Sequence, residues 1–171
     1  MTEQEQNIDA KKRALAESVG DFIKYWGFKE IHGKIWVQIY LSNTPVTAKE
    51  LTQTLGVTKG SVSTTLSDLI AYQVIEKVHT GDARSPAYQS NTDLFESINN
   101  VLRNRELKMT KRIRENIDAL IPETNSCDPE TTKKLEKMRE MTNFAVVSLE
   151  KLLENKTIPT ERFKLIMRLI S

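Results

Sequence analysis

Residues 47–70 read TAKELTQTLGVTKGSVSTTLSDLI and contain two helix-start signals. Thr47 and Glu50 have the spacing of a capping box, in which a threonine oxygen accepts from a backbone N–H and the glutamate reaches back to the cap. Thr58 can cap a second helix, and Gly56 can end the first helix in a left-handed conformation. The stretch therefore predicts two short helices joined by a glycine turn, with apolar positions at Leu51, Leu55, Val62, Leu66, Leu69 and Ile70.

The flanking segments predict further helices and a β-hairpin. Upstream, apolar residues recur at helical spacing over residues 15–26 and 31–39, and Gly27 and Pro45 can end these two helices. Downstream, two short strands flank residues 80–86, a segment rich in turn formers. The order helix, capped helix, glycine turn, second capped helix and hairpin is typical of a winged helix-turn-helix. The predicted fold is mainly α with a small β-hairpin wing.

The rest of the chain is predicted to be helical. Asp93 can cap a long helix that ends before Pro122, a seam with steps of three and four runs over residues 135–152, and a last short helix follows Pro159. Because these helices offer more apolar face than one winged domain can cover, we expect them to pair two copies of the chain in a homodimer. The predicted organisation is an N-terminal helix for dimerisation or effector binding, a winged helix-turn-helix domain and a helical dimerisation region, over residues 1–28, 29–92 and 93–171.

The charge balance and the cysteine content argue against several classes of protein. The chain has 25 Lys and Arg residues against 23 Asp and Glu, so its net charge of +2 does not by itself indicate a nucleic-acid or membrane partner. One cysteine cannot form an internal disulfide, and with two histidines it cannot supply a conventional Cys/His zinc site. No apolar run approaches the length of a membrane span. We expect a soluble, cytoplasmic protein without a cofactor and without a membrane partner.

No enzyme is indicated. Residues 56–61 superficially resemble a phosphate-binding loop, but the two glycines are too close together and no Lys-Ser/Thr pair follows the second one. His32 and His79 lie in separate elements with no nucleophile pattern nearby, so each is expected at the surface or at a helix end. Cys127 lies in a polar connector, where we expect an inert thiol.

The second helix of the capped pair is the candidate reader of DNA. At about 100° per residue, its apolar side leaves an opposite side lined by hydroxyl groups, which suits close approach to a major groove. Lys59 and the helix N-terminus are placed for phosphate, and Arg84 at the hairpin tip is placed for phosphate or a minor groove. A solvated face, or a winged domain that contacts protein without specific DNA binding, is the alternative. The candidate DNA contacts are Thr47, Thr58, Lys59, Gly60, Ser61, Ser63, Thr64, Ser67, Lys77, His79 and Arg84.

Several segments resemble one family of regulators. Residues 33–35, 45–51, 55–63 and 66–69 look like the GbsR-type branch of the MarR-like winged helix-turn-helix transcriptional regulators, and residues 81–88 of the hairpin are also similar. Lys34 stands where that family usually has arginine, and Ser61 where asparagine is common. The resemblance implies a homodimeric regulator of transcription on double-stranded DNA, which often controls genes for choline or glycine betaine handling. We expect it to act as a repressor.

The aromatic residues of the first two helices suggest an effector site. A quaternary ammonium such as choline binds aromatic faces through cation–π attraction. The candidate residues for binding choline or a related osmolyte are therefore Trp26, Trp36 and Tyr40, and this binding would release the DNA. Ordinary core packing is the alternative for the same three residues.

Overall fold

The computed structural model describes residues 3–79, 86–125 and 127–154. The chain divides into two compact units, Met1–Val101 and Leu102–Ser171. The first unit contains, in chain order, α1 (Glu3–Tyr25), α2 (Glu30–Tyr40), β1 (Val46–Thr47), α3 (Ala48–Leu55), α4 (Lys59–Ala71), β2 (Ile75–Val78), β3 (Ala87–Ser90) and α5 (Leu94–Val101). The second unit contains a π-helical segment (Leu102–Leu107), α6 (Lys108–Thr124) and α7 (Pro129–Glu154).

The helix-turn-helix forms as its local signals predict. The Thr47 side chain accepts from the backbone N–H of Glu50, and the Glu50 carboxylate accepts from the backbone N–H of Thr47 at 2.7 Å. The hydrogen bonds from Thr47 also hold the pKa of the Glu50 carboxyl below its ordinary value, because they favour the charged form. α3 ends at Gly56 in the left-handed conformation, with φ 63°. Sequence alone therefore fixes where α3 begins and where it ends.

A single apolar core holds α2, α3 and α4 against the small sheet. Its members come from all of these elements, and each side chain is almost fully shielded from solvent. At roughly 25 cal/mol per Å² of apolar surface, burial of this cluster is the main favourable contribution to folding of the unit. The buried members are Ile35, Ile39, Leu51, Val62, Leu66, Leu69, Val74 and Ile75.

The sheet has three strands in the order β1-β3-β2, and both pairs are antiparallel. Val46 of β1 and Lys77 of β2 both lie opposite Tyr88 in the central strand β3. The predicted hairpin strands are present, whereas β1 was not predicted, because its two residues carry no periodic signal of their own. The mainly helical winged helix-turn-helix fold is confirmed.

α1 packs against α2 through glycines. A Cβ atom added to Gly33 would lie 2.8 Å from the backbone N and Cα atoms of Gly20, so the two helix backbones are in direct contact. Beside the crossing, the Lys34 ammonium pairs with Glu17 of α1 and, at 2.6 Å, with Glu30. These two carboxylates raise the pKa of Lys34. Small residues and an ion-pair cluster therefore position α1, together with Ile23 of the predicted helix face, whose side chain lies beside Gly33.

In the second unit, α6 and α7 form an antiparallel pair. The Lys111 ammonium lies 2.6 Å from a carboxylate oxygen of Glu150, and the Thr132 hydroxyl donates to the Thr124 hydroxyl at 3.0 Å. The start of α6 therefore lies beside the end of α7. A buried cluster of Leu107, Val146 and Leu153 closes the start of the pair.

Two predictions about the first unit are wrong in detail. α1 begins at Glu3, well before its predicted apolar face, and Leu15 and Phe22 of that face are exposed. In α4, Ile70 is 38% exposed and Thr65 is buried in its place. In both helices the backbone packing decides which side faces the core, and the most apolar residues do not always lie on it.

Two predictions about the second unit are also wrong. Pro122 lies inside α6, which continues to Thr124 instead of ending before the proline. In α7, Met138 and Leu152 of the predicted seam are exposed, whereas Val146 is buried.

Some predicted features lie outside the described residues. These are the turn segment 80–85 with Arg84 and the short helix after Pro159. Within the described ranges, no helix combines the length and the apolar character needed to cross a bilayer.

Candidate nucleic-acid interface

The start of α4 presents backbone donors to solvent. The Thr58 hydroxyl oxygen accepts from the backbone N–H of Ser61 at 3.2 Å, which caps the helix as predicted. The next two residues, Lys59 and Gly60, are exposed. The first N–H groups of a helix have no partner within it and carry its partial positive charge. This terminus can therefore receive a phosphate oxygen.

The outward side of α4 carries small side chains. The outward face of α4 consists of Gly60, Ser63, Thr64 and Ser67, all of which are exposed, while Ser61 at its edge is half-buried. No atom lies within 4 Å of a Cβ built on Gly60, so the surface is open at that point. The opposite side of the helix is buried through Val62, Thr65, Leu66 and Leu69. The helix therefore separates a core side from an accessible polar side, as predicted.

The hydroxyl groups of the outward face differ in what they can still bind. The Ser67 hydroxyl donates to the backbone carbonyl of Ser63 at 3.0 Å, so its oxygen keeps only acceptor capacity. In the described part of the chain, the hydroxyls of Ser63 and Thr64 have no hydrogen-bond partner. These two groups can donate as well as accept, which is the capacity that reading of base edges needs.

Thr47 contributes mainly to folding. Its hydroxyl donates to the Glu50 carboxylate at 2.7 Å and accepts from the Glu50 backbone N–H at 3.3 Å. Both functions of the hydroxyl are therefore in use within the capping box. One lone pair of the oxygen remains for a DNA contact.

The strands bring two further candidates to the surface. Lys77, in β2, and His79, just after it, are both exposed and are separated by one residue. Successive side chains of a strand alternate between its faces, so Lys77 and His79 share one face. Arg84, the predicted tip of the wing, lies outside the described residues.

The charge of α4 is unevenly distributed. Lys59 is its only basic residue and Asp68 its only acidic one. Lys59 has no ion pair among the described residues, so its ammonium is available to a phosphate. The Asp68 carboxylate, in contrast, is bound by the imidazole of His32 at 3.0 Å.

The sequence did not predict this contact between His32 and Asp68. His32 was expected at the surface or at a helix end; it lies in the first turn of α2, but it is buried. The pair joins residues 36 positions apart, so no local motif links them. The available signal was the position of His32 three residues before Ile35, on the core side of α2.

The predicted aromatic effector residues lie in two separate ring pairs. Trp26 is exposed and lies against Phe22, with ring centroids 6.1 Å apart. Trp36 and Tyr40 stack on each other at 4.9 Å and 22°, and Trp36 packs against the core. The structure pairs these rings without bringing all three around one cavity.

A polar groove lies elsewhere in the first unit. It has a volume of about 410 Å³ and runs between α1, α2 and α3. Arg13, Gln38 and Thr54 line it, and none of the predicted effector residues does.

Comparisons with known proteins support the fold. No protein-family model matches the chain, and no curated protein matches its sequence. A crystal structure described as that of a transcriptional regulator is similar, with a TM-score of 0.71 and 15% identity over 85% of this chain and 97% of that chain. The transcriptional regulator Tm0710 from Thermotoga maritima is 22% identical over 84% of this chain and 99% of its own, with a TM-score of 0.40. The first of these similarities extends across most of both chains and supports the architecture described above.

Proposed function

We propose that this protein is a DNA-binding regulator of transcription that acts as a homodimer. The observation that carries the proposal is the outward face of α4, which is exposed, lined by hydroxyls, and bounded by Lys59 at its start. The similar structure, described as a transcriptional regulator, supports the same class of function. Membership of the GbsR-type branch, repression rather than activation, release by choline, and the division into residues 1–28, 29–92 and 93–171 stay predictions.

The chemistry of the outward face suits a major groove. Gly60 and the serine residues allow the helix backbone to approach bases closely, and free hydroxyls can donate to or accept from base edges. Lys59 and the first N–H groups of α4 would bind phosphate and set the position of the helix along the duplex. Lys77 and His79 extend the polar surface onto the sheet.

The test of the proposal is the salt dependence of DNA binding. We expect Lys59→Ala to weaken binding by a similar factor on every sequence and to lower the slope of log affinity against log salt by about one, because one phosphate contact is lost. Fluorescence anisotropy with a labelled duplex from upstream of the protein's own gene, between about 50 and 200 mM salt, measures both quantities.

Lys133→Ala is the matched control, because Lys133 is exposed on α7 and its replacement removes the same charge as Lys59→Ala. It should leave the slope unchanged. Equal slopes for Lys59→Ala and the unmodified protein would contradict a phosphate contact. Absence of any duplex binding would instead favour a winged domain that contacts protein.

An exposed apolar face supports the homodimer. Met109, Ile113 and Leu120 recur along α6 at steps of four and seven and are exposed. In α7, the exposed residues Met138 and Met141 belong to a similar stripe, which Leu152 continues. Exposed apolar patches of this extent on a folded protein mark interaction sites.

The two stripes lie on the same side of the α6–α7 pair. At about 100° per residue, the stripe on α6 and Lys111 lie on opposite sides of the line along which the two helices touch. On α7, the stripe and Glu150 likewise lie on opposite sides of that line. Because Lys111 and Glu150 meet across one edge of the pair, the stripes meet across the other. A second copy of the chain, which carries the same apolar surface, can cover it by two-fold symmetry.

We expect Met141→Glu to shift the dimer to a monomer at micromolar concentration, because the side chain is 70% exposed in the single chain but would be buried between copies. Sedimentation velocity measures the change. The control is Asn143→Glu, which adds a carboxylate at an exposed position on the Glu150 side of α7. A dimer that survives Met141→Glu would contradict this interface.

A further inference from the structure

A buried histidine links α2 to the DNA-reading helix. The His32 ring is only 4% exposed, and its Nε2 lies 3.0 Å from a carboxylate oxygen of Asp68 in α4. Its Nδ1 lies 3.0 Å from the backbone carbonyl oxygen of Lys29. Phe28 meets the ring edge to face and contacts Tyr72 at the end of α4 in the same way. The ring is therefore fixed on several sides.

Both nitrogens of the ring face oxygen acceptors. A carboxylate and a backbone carbonyl can only accept, so each contact is a hydrogen bond only when the nitrogen carries a proton. The imidazolium is the one form of the ring that donates to both oxygens.

Asp68 occupies a sensitive position. It is the only acidic residue of α4 and follows Thr64 by one helical turn, at the edge of the outward face. Its side chain is 40% exposed, and in the described part of the chain His32 is the only side chain that binds its carboxylate. A carboxylate freed at this position could turn toward the phosphates of a bound duplex.

We propose that His32 is a positioning residue for DNA binding: its Nε2 holds the Asp68 carboxylate against α2, so that the outward face of α4 presents no free negative group. The inference rests on the proposed function and deepens it. His32 itself does not touch DNA. It acts through Asp68, and the repulsion that it prevents is electrostatic, between like charges.

The test uses four proteins and one duplex. His32→Leu removes both donors and keeps an apolar side chain in the buried site, and the carbonyl of Lys29 retains its 2.9 Å bond from the backbone N–H of residue 32. We expect this variant to bind the duplex roughly tenfold more weakly than the unmodified protein. Asp68→Asn alone should bind as well as the unmodified protein. The double variant, His32→Leu with Asp68→Asn, should recover affinity to within about twofold, because the free charge is gone.

Two further variants secure the result. If His32→Leu fails to fold by circular dichroism, His32→Asn replaces it, because the shorter amide reaches the position of Nδ1 but not Asp68. In His32→Gln the amide nitrogen takes the place of Nε2 and keeps a donor to Asp68. This variant should bind the duplex more tightly than His32→Leu or His32→Asn, which both lack that donor.

The outcomes separate two failures. If the unmodified protein binds no duplex, the proposed function fails and this inference fails with it. If the unmodified protein binds but the double variant is as weak as His32→Leu, only the inference fails, because His32 would then act by packing alone. Recovery of affinity on removal of the Asp68 charge is the result that a purely structural role does not produce.

Discussion

Gly33→Ala is expected to lower the free energy of unfolding by about 2–3 kcal/mol, as overpacking of a close contact does. The added Cβ would lie 2.8 Å from the backbone of Gly20 and 3.0 Å from a methyl group of Ile23, and a helix backbone cannot yield as a flexible side chain can. α1 would have to move away from α2, which would also stretch the pairing of Lys34 with Glu17. Urea unfolding followed by circular dichroism measures the change.

Gly60→Ala is the matched control for this prediction. It makes the same chemical change in a helix, but no atom lies within 4 Å of the added Cβ. Alanine also has the higher helix propensity, so Gly60→Ala should leave stability equal or higher by up to about 1 kcal/mol. An unfolding midpoint for Gly33→Ala that equals that of the unmodified protein would contradict the glycine contact between α1 and α2.

Thr64→Glu is expected to weaken DNA binding by at least about a hundredfold. The substitution places a carboxylate in the middle of the outward face, where it would be repelled by the phosphates, and it removes a hydroxyl that could bind a base. Thr64 is exposed and its side chain has no partner in the described part of the chain, so the folded structure should tolerate the change. Anisotropy titration with the labelled duplex measures the affinity.

Asn143→Glu is also the control for Thr64→Glu, since it changes the net charge by the same amount at an exposed position of α7. It should alter affinity little, because most of its effect is screened by salt over the Debye length. Equal losses in the two variants would mean that net charge, and not the outward face, governs binding.

The sequence predicts best those features that depend on neighbouring residues. The Thr47 and Thr58 caps, the turn at Gly56 and the side of α4 that faces solvent all follow from side chains within one or two helical turns. Each of these signals is local hydrogen bonding or backbone conformation, and tertiary contacts reinforce them.

The features that sequence missed depend on distant partners. β1 exists because Val46 pairs with Tyr88, and the buried side of α1 follows from contact between Gly20 and Gly33. A strand of two residues is too short to show an apolar pattern, and a glycine has no side chain to contribute to one. Neither feature allows its contact partner to be predicted from sequence. The pairing of His32 with Asp68 is of the same kind, since only the packing of α2 against α4 brings them together.

We propose that the outward face of α4 docks on DNA, and two-dimensional ¹⁵N NMR tests this by following backbone amide signals as duplex is added. We expect the largest shifts at Gly60, Ser63, Thr64 and Ser67, with Lys59, while amides of α7 near Asn143 stay unchanged. Binding of the duplex with no shift at these α4 residues would contradict it.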